Sequence, residues 1–131
     1  MVDEPYMATG YDEAYIRRLM DKLLALGAGT VVLTGVSYRE GEVGAAVLAK
    51  GDKEISYYFH ERLPKNCHGT GDIFASSFTG ALMRGRTPLE AAKVAADVTV
   101  AGMKATAPDE SHWYGTKFEK ALPMLVNELN K

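Results

Sequence analysis

The sequence predicts an α/β layer fold, and three observations carry that prediction: an amphipathic helix feeding a short β-branched strand, an alternating hairpin after it, and helical patterns through the rest of the chain. From Asp12 to Leu26 apolar residues recur at Tyr15, Ile16, Leu19, Met20, Leu23, Leu24 and Leu26, with Arg17, Arg18, Asp21 and Lys22 between them. That is the helical period. Gly27 stops the helix, and the uncharged run Thr30-Val31-Val32-Leu33-Thr34 then reads as a strand covered on both faces. Val43 to Ala49 and Glu54 to His60 flank Lys50-Gly51-Asp52-Lys53, with Ile55, Tyr57 and Phe59 alternating against Ser56, Tyr58 and His60. These form an antiparallel hairpin.

Asp72 to Arg84 mixes small and apolar side chains without proline, which predicts a largely buried helix that begins inside a glycine motif and closes at Gly85. Thr87-Pro88-Leu89-Glu90 combines a capping hydroxyl, a proline at the first helical position and a glutamate three residues after the cap, so a further helix opens there and runs to Thr106. A last pattern uses Phe118, Leu122, Leu125, Val126 and Leu129, and Pro123 should kink it or divide it in two. About three strands and four or five helices result, and a sheet that small needs neighbours. Another chain, or the remainder of a longer polypeptide, would supply them.

The 131 residues, 47% hydrophobic and 24% charged, suit one domain with a single core. Fifteen basic and seventeen acidic side chains leave a net charge of −2, and the basic residues are scattered, so neither nucleic acid nor an anionic membrane is an expected partner. The lone cysteine, Cys67, excludes an internal disulfide, and no metal-type cysteine pair exists. Without a signal-peptide pattern at the N-terminus or a membrane-length apolar run, a cytoplasmic location is expected.

The chemistry concentrates in Cys67-His68-Gly69-Thr70-Gly71-Asp72-Ile73-Phe74. Two glycines bracket a threonine where a loop becomes a helix, so bare backbone N–H groups and the positive end of a helix dipole converge on one point. An anion belongs there. The missing side chains at Gly69 and Gly71 let an oxyanion approach the main chain closely, which stabilises charge on a migrating phosphoryl group without a cationic residue. Asp72, in the first helical turn, can accept a proton from a substrate hydroxyl. Together these parts describe transfer of a terminal phosphoryl from a nucleotide to an alcohol, with Mg²⁺ and main-chain amides holding the donor's charge. The competing explanation is a tight turn and a helix cap with no chemistry.

With the strand ending Val32-Leu33-Thr34-Gly35 before it and two helices after it, the Gly69 to Phe74 segment resembles the C-terminal half of the ribokinase superfamily, from Thr30 to the chain end. The Cys67-His68 lead-in and the Trp113-Tyr114-Gly115 and Phe118-Glu119 stretches look most like bacterial pyridoxal or pyridoxamine kinases, which are similar to the hydroxymethylpyrimidine kinases. The resemblance implies a partial three-layer αβα fold, with residues 1–131 as the nucleotide-binding and catalytic-loop part of a kinase domain. It implies Asp72 as catalytic base, Gly69, Thr70 and Gly71 as the anion hole, and Thr34 and Gly35 as contacts to the nucleotide phosphates. ATP and Mg²⁺ are the cofactors it implies, and a B6 vitamer or a pyrimidine alcohol is the acceptor. The family's substrate-binding strands and lid precede the first helix and have no counterpart here, so the expected partner is a second copy or a separate N-terminal half.

Other candidates carry less. Cys67 could be a thiol activated beside the anion hole, or a buried inert one. His60, His68 and His112 lack ligand spacing. The loop Asp109 to Tyr114 could border a nucleotide or merely connect elements, and Tyr57 and Tyr58 could flank a ring or simply pack. No Walker-type loop or nucleophile elbow is present. The rival to a kinase is a non-catalytic remnant that binds nucleotide or associates through an exposed sheet edge.

Overall fold

The computed structural model describes residues 3–7, 9–63, 68–106 and 115–131. They form two compact units, Met1–Glu61 and Arg62–Lys131, each with its own apolar cluster.

In the first unit the Asp12 side chain accepts the Tyr15 N–H at 2.9 Å and so starts helix α1, Glu13–Ala25. Such a cap is worth about 1 kcal/mol. Tyr15, Ile16 and Met20 are its buried residues, and they meet Val31, Val36, Ala46 and Leu48 of the sheet. The helix ends at Leu26, and Gly27 follows with φ 113°, a conformation in which its N–H reaches the Leu24 carbonyl at 3.0 Å.

Three strands follow, β1 (Thr30–Val36), β2 (Glu42–Ala49) and β3 (Ser56–Glu61), joined as one antiparallel sheet in the order β1-β2-β3. The expected hairpin is β2 and β3, with Ala46 opposite Tyr57 and Gly44 opposite Phe59. The expectation that β1 is covered on both faces is corrected: Val31 and Val36 are buried, Val32 and Leu33 only partly, and Thr34 and Gly35 are exposed. The doubly covered strand is β2, where every residue from Gly44 to Leu48 is buried. Its central place is the reason, since β1 has a strand on one side only among the described residues.

Gly44 answers a close approach. A Cβ there would stand 2.1 Å from the Tyr58 carbonyl oxygen and 2.7 Å from the Phe59 Cα. On β3, Tyr57 stacks on Phe59 with ring centres 5.3 Å apart, and Tyr38 meets both rings edge-on. Tyr57 is thereby a packing residue of the first cluster.

The second unit contains α2 (Thr70–Met83), α3 (Pro88–Thr106), a 3-10 turn at Phe118–Lys120 and α4 (Leu122–Leu129). The capping box at the start of α3 is closed in both directions: the Thr87 N–H donates to Glu90 Oε2 at 2.9 Å, and the Glu90 N–H donates to Thr87 Oγ1 at 3.3 Å. The Thr87 backbone bond holds the Glu90 carboxyl below its ordinary range. Pro123 divides the last helical pattern, as a residue without an N–H should, and sits in the first turn of α4. Ala81 of α2 packs with Ala91, Val94 and Val98 of α3, where small side chains bring the helix axes close. The expectation of a largely buried α2 is corrected, since Ser77 and Ala81 are its buried residues and Met83 is 82% exposed. Among the described residues α2 is covered along the stripe that meets α3 and α4, and its other faces carry no comparable apolar cover. No described helix is long and apolar enough to cross a membrane.

Candidate active site

The second unit brings Gly69, Thr70, Gly71 and Asp72 together at the opening of α2. Gly69 is the N-cap, with φ 86° and ψ 1°. This left-handed conformation costs an ordinary residue roughly 1–2 kcal/mol and glycine almost nothing. The Gly69 carbonyl accepts the Ile73 N–H at 3.0 Å, which starts the helical ladder, and no side chain caps the helix. Consequently the N–H groups of Thr70, Gly71 and Asp72 have no hydrogen-bond partner among the described residues. They are the orphan donors of a helix start, free to take an external acceptor.

Space for that acceptor exists. A Cβ built on Gly69 or on Gly71 would meet nothing within 4 Å. Beside the turn lies a cleft of about 550 Å³, with His68, Gly69 and Asp72 at one side and apolar walls that include Ile73, Val98 and Leu125. Asp72 is exposed and is the one carboxylate among the described residues lining this cleft. The walls suit a flat apolar group, and the turn suits an anion.

Thr34 and Gly35 belong to the other unit, Met1–Glu61. They have a local meaning of their own. Leu33 pairs with Ala46 and Val36 with Gly44, so three steps along β1 match two along β2. The extra residue is a β-bulge at Thr34-Gly35, and Gly35 takes φ 72° there. The added residue changes the phase of the strand, which returns Val36 to the buried side with Val31. Tyr11 braces the bulge, donating its hydroxyl to the Gly35 carbonyl at 3.4 Å and accepting the Ser37 N–H at 2.9 Å.

The family model for phosphomethylpyrimidine kinase matches residues 7–116. The chain belongs to the phosphomethylpyrimidine kinase family. Within the ribokinase-like superfamily, this kinase family's fold recurs in two crystal forms of a Bacteroides thetaiotaomicron protein provisionally named a phosphomethylpyrimidine kinase. Its rhombohedral form is 31% identical, with a TM-score of 0.78 over 94% of the present chain and 42% of that one. Its orthorhombic form, with pyridoxal, is 30% identical, with a TM-score of 0.76 over 94% and 44%. Pyridoxal kinase from Lactobacillus plantarum shares the fold at 24% identity, with a TM-score of 0.78 over 94% and 44%. The chain therefore spans less than half the length of these solved relatives. No curated protein sequence matches it.

Of the remaining candidates, Cys67, His112 and the loop Asp109 to Tyr114 lie outside the described residues. His60 turns its Nδ1 to the neighbouring Glu61 carbonyl at 2.9 Å. Sequence reasoning missed Ser76, Ser77 and Thr116, all of which line the cleft. Ser77 is four residues beyond Ile73 on the same helix face, a spacing that could have flagged it. Thr116 reaches the site from 48 residues beyond His68, and nothing local marks it.

Proposed function

We propose that this chain carries the phosphoryl-transfer part of an ATP-dependent kinase whose acceptor is the hydroxymethyl group of pyridoxal or a related B6 vitamer. The observation that carries the reading is the open turn at Gly69-Thr70-Gly71, with three amides unpartnered among the described residues and Asp72 one residue further on. ATP would supply the transferable phosphoryl. The turn would hold its terminal oxygens, and the cleft's apolar walls would receive a planar portion of a ligand. Asp72 would take the proton from the acceptor hydroxyl as the new P–O bond forms. Thr34 and Gly35, both exposed, would contact nucleotide phosphates from the bulge of β1. Mg²⁺ would accompany the triphosphate and offset part of its charge.

A second acceptor has equal support. The matching family is phosphomethylpyrimidine kinase, and a hydroxymethylpyrimidine offers the same primary alcohol on a similar ring. The chain covers less than half of its solved relatives. The test is acceptor-dependent ADP release, measured with pyridoxal and with hydroxymethylpyrimidine, for the chain alone and mixed with a separately produced N-terminal half. Turnover with one alcohol selects the acceptor. Absence of turnover in both preparations, with no nucleotide binding, would leave the non-catalytic remnant.

A further inference from the structure

We infer that Thr116 is a positioning residue for the anion-binding turn and acts through the carbonyl of His68; only what the turn binds rests on the kinase reading above. The His68 carbonyl accepts two hydrogen bonds from this one residue, the Thr116 N–H at 3.1 Å and the Thr116 hydroxyl at 2.8 Å. A carbonyl oxygen has two acceptor sites, so Thr116 occupies both. Together they fix the plane of the peptide between His68 and Gly69. That plane matters because Gly69, at φ 86°, has no side chain to restrain it, and its rotation sets where the Thr70, Gly71 and Asp72 amides point.

Thr116 is itself held from behind. The Thr106 side chain is 0% exposed; it donates to the Gly102 carbonyl at 2.7 Å and accepts the Lys117 N–H at 2.7 Å. The residue after Thr116 is thus tied to the last turns of α3. Gly102 contributes by what it lacks, since a Cβ there would stand 3.0 Å from Thr116 Cγ2. The linkage runs from Gly102 through Thr106 and Lys117 to Thr116 and on to His68. Thr116 is 7% exposed, and valine would fill the same volume. The hydroxyl is therefore present for what it bonds, because a buried hydroxyl without a partner is unfavourable.

The test compares Thr116→Val, Thr116→Ser and Gly102→Ala with the wild type in the 131-residue chain. Amide chemical shifts report the turn, and affinities for the Mg²⁺ complexes of β,γ-imido-ATP and of ADP report its use. Thr116→Val should shift the Gly69, Thr70 and Gly71 amides while α4 stays unchanged, and should weaken the triphosphate about five- to tenfold more than ADP. Thr116→Ser should restore both. Gly102→Ala, which retains the Thr116 hydroxyl but pushes on its Cγ2, should move the same amides, and it keeps the question decidable should the valine variant not fold. Unmoved turn amides in every folded variant, or a serine variant as impaired as valine, would overturn the inference, as would equal losses for ADP and triphosphate. If the wild type binds neither nucleotide the kinase reading fails, and the amide shifts alone then decide whether Thr116 sets the turn.

Discussion

The hydroxyls of Tyr38 and Tyr57 meet at 2.7 Å, joining the β1-β2 connection to strand β3 above the stacked ring of Phe59. Burial, reinforced by this contact, pushes the Tyr38 hydroxyl above the ordinary tyrosine range, and burial raises Tyr57 as well. The shared bond acts in opposite directions on the two groups, favouring the proton on the donor, and burial decides the net rise at Tyr57. Both groups hold their protons more tightly folded than unfolded. Their contribution to stability is therefore fully present below the ordinary tyrosine value of about 10 and is lost as pH rises above it toward the folded values.

Thermal melts followed by circular dichroism should accordingly show a falling midpoint as pH is raised from about 9 to about 11, the range in which unfolded tyrosine ionises. Replacing both tyrosines by phenylalanine should flatten that fall. An equally steep decline in the double variant would assign the loss to other groups.

Gly44→Ala should destabilise the hairpin by about 3 kcal/mol or more, because the new methyl would stand against the β3 backbone rather than a movable side chain. Urea denaturation monitored at the tyrosine cluster measures this. A change below about 1 kcal/mol would mean that β3 can move away without penalty.

Gly71→Ala separates binding from stability. Its site is open, and alanine suits a helix, so stability should be unchanged or raised by up to about 1 kcal/mol. The methyl would nevertheless stand in the space proposed for the phosphoryl oxygens, so affinity for a triphosphate analogue should fall. Calorimetric titration against the wild type checks both halves. Undiminished affinity would remove Gly71 from the anion hole.

Asp72→Asn keeps the size and the helix start while removing the proton acceptor. Acceptor-dependent ADP release should drop at least about a hundredfold with nucleotide affinity retained. A rate equal to wild type would exclude Asp72 as the base.

Features with local causes were legible in the chain itself. Asp12 caps α1, Thr87 and Glu90 close a capping box, and Pro123 splits the last helical pattern, each through partners within four residues. The glycine turn before Asp72 was visible for the same reason, since Gly69 and Gly71 mark bare backbone wherever a helix begins. The tertiary structure alone decided which strand is buried on both faces, because Val31-Val32-Leu33 and Ala45-Ala46-Val47 are equally apolar and only the order β1-β2-β3 tells edge from centre. It alone displayed the bulge at Thr34-Gly35, which depends on the register with β2, and the hold of Thr116 on His68, which spans 48 positions. Helix caps and glycine turns are written by neighbours in sequence, whereas strand burial and the bonds that hold the turn before α2 are set by residues that meet only after the chain has folded.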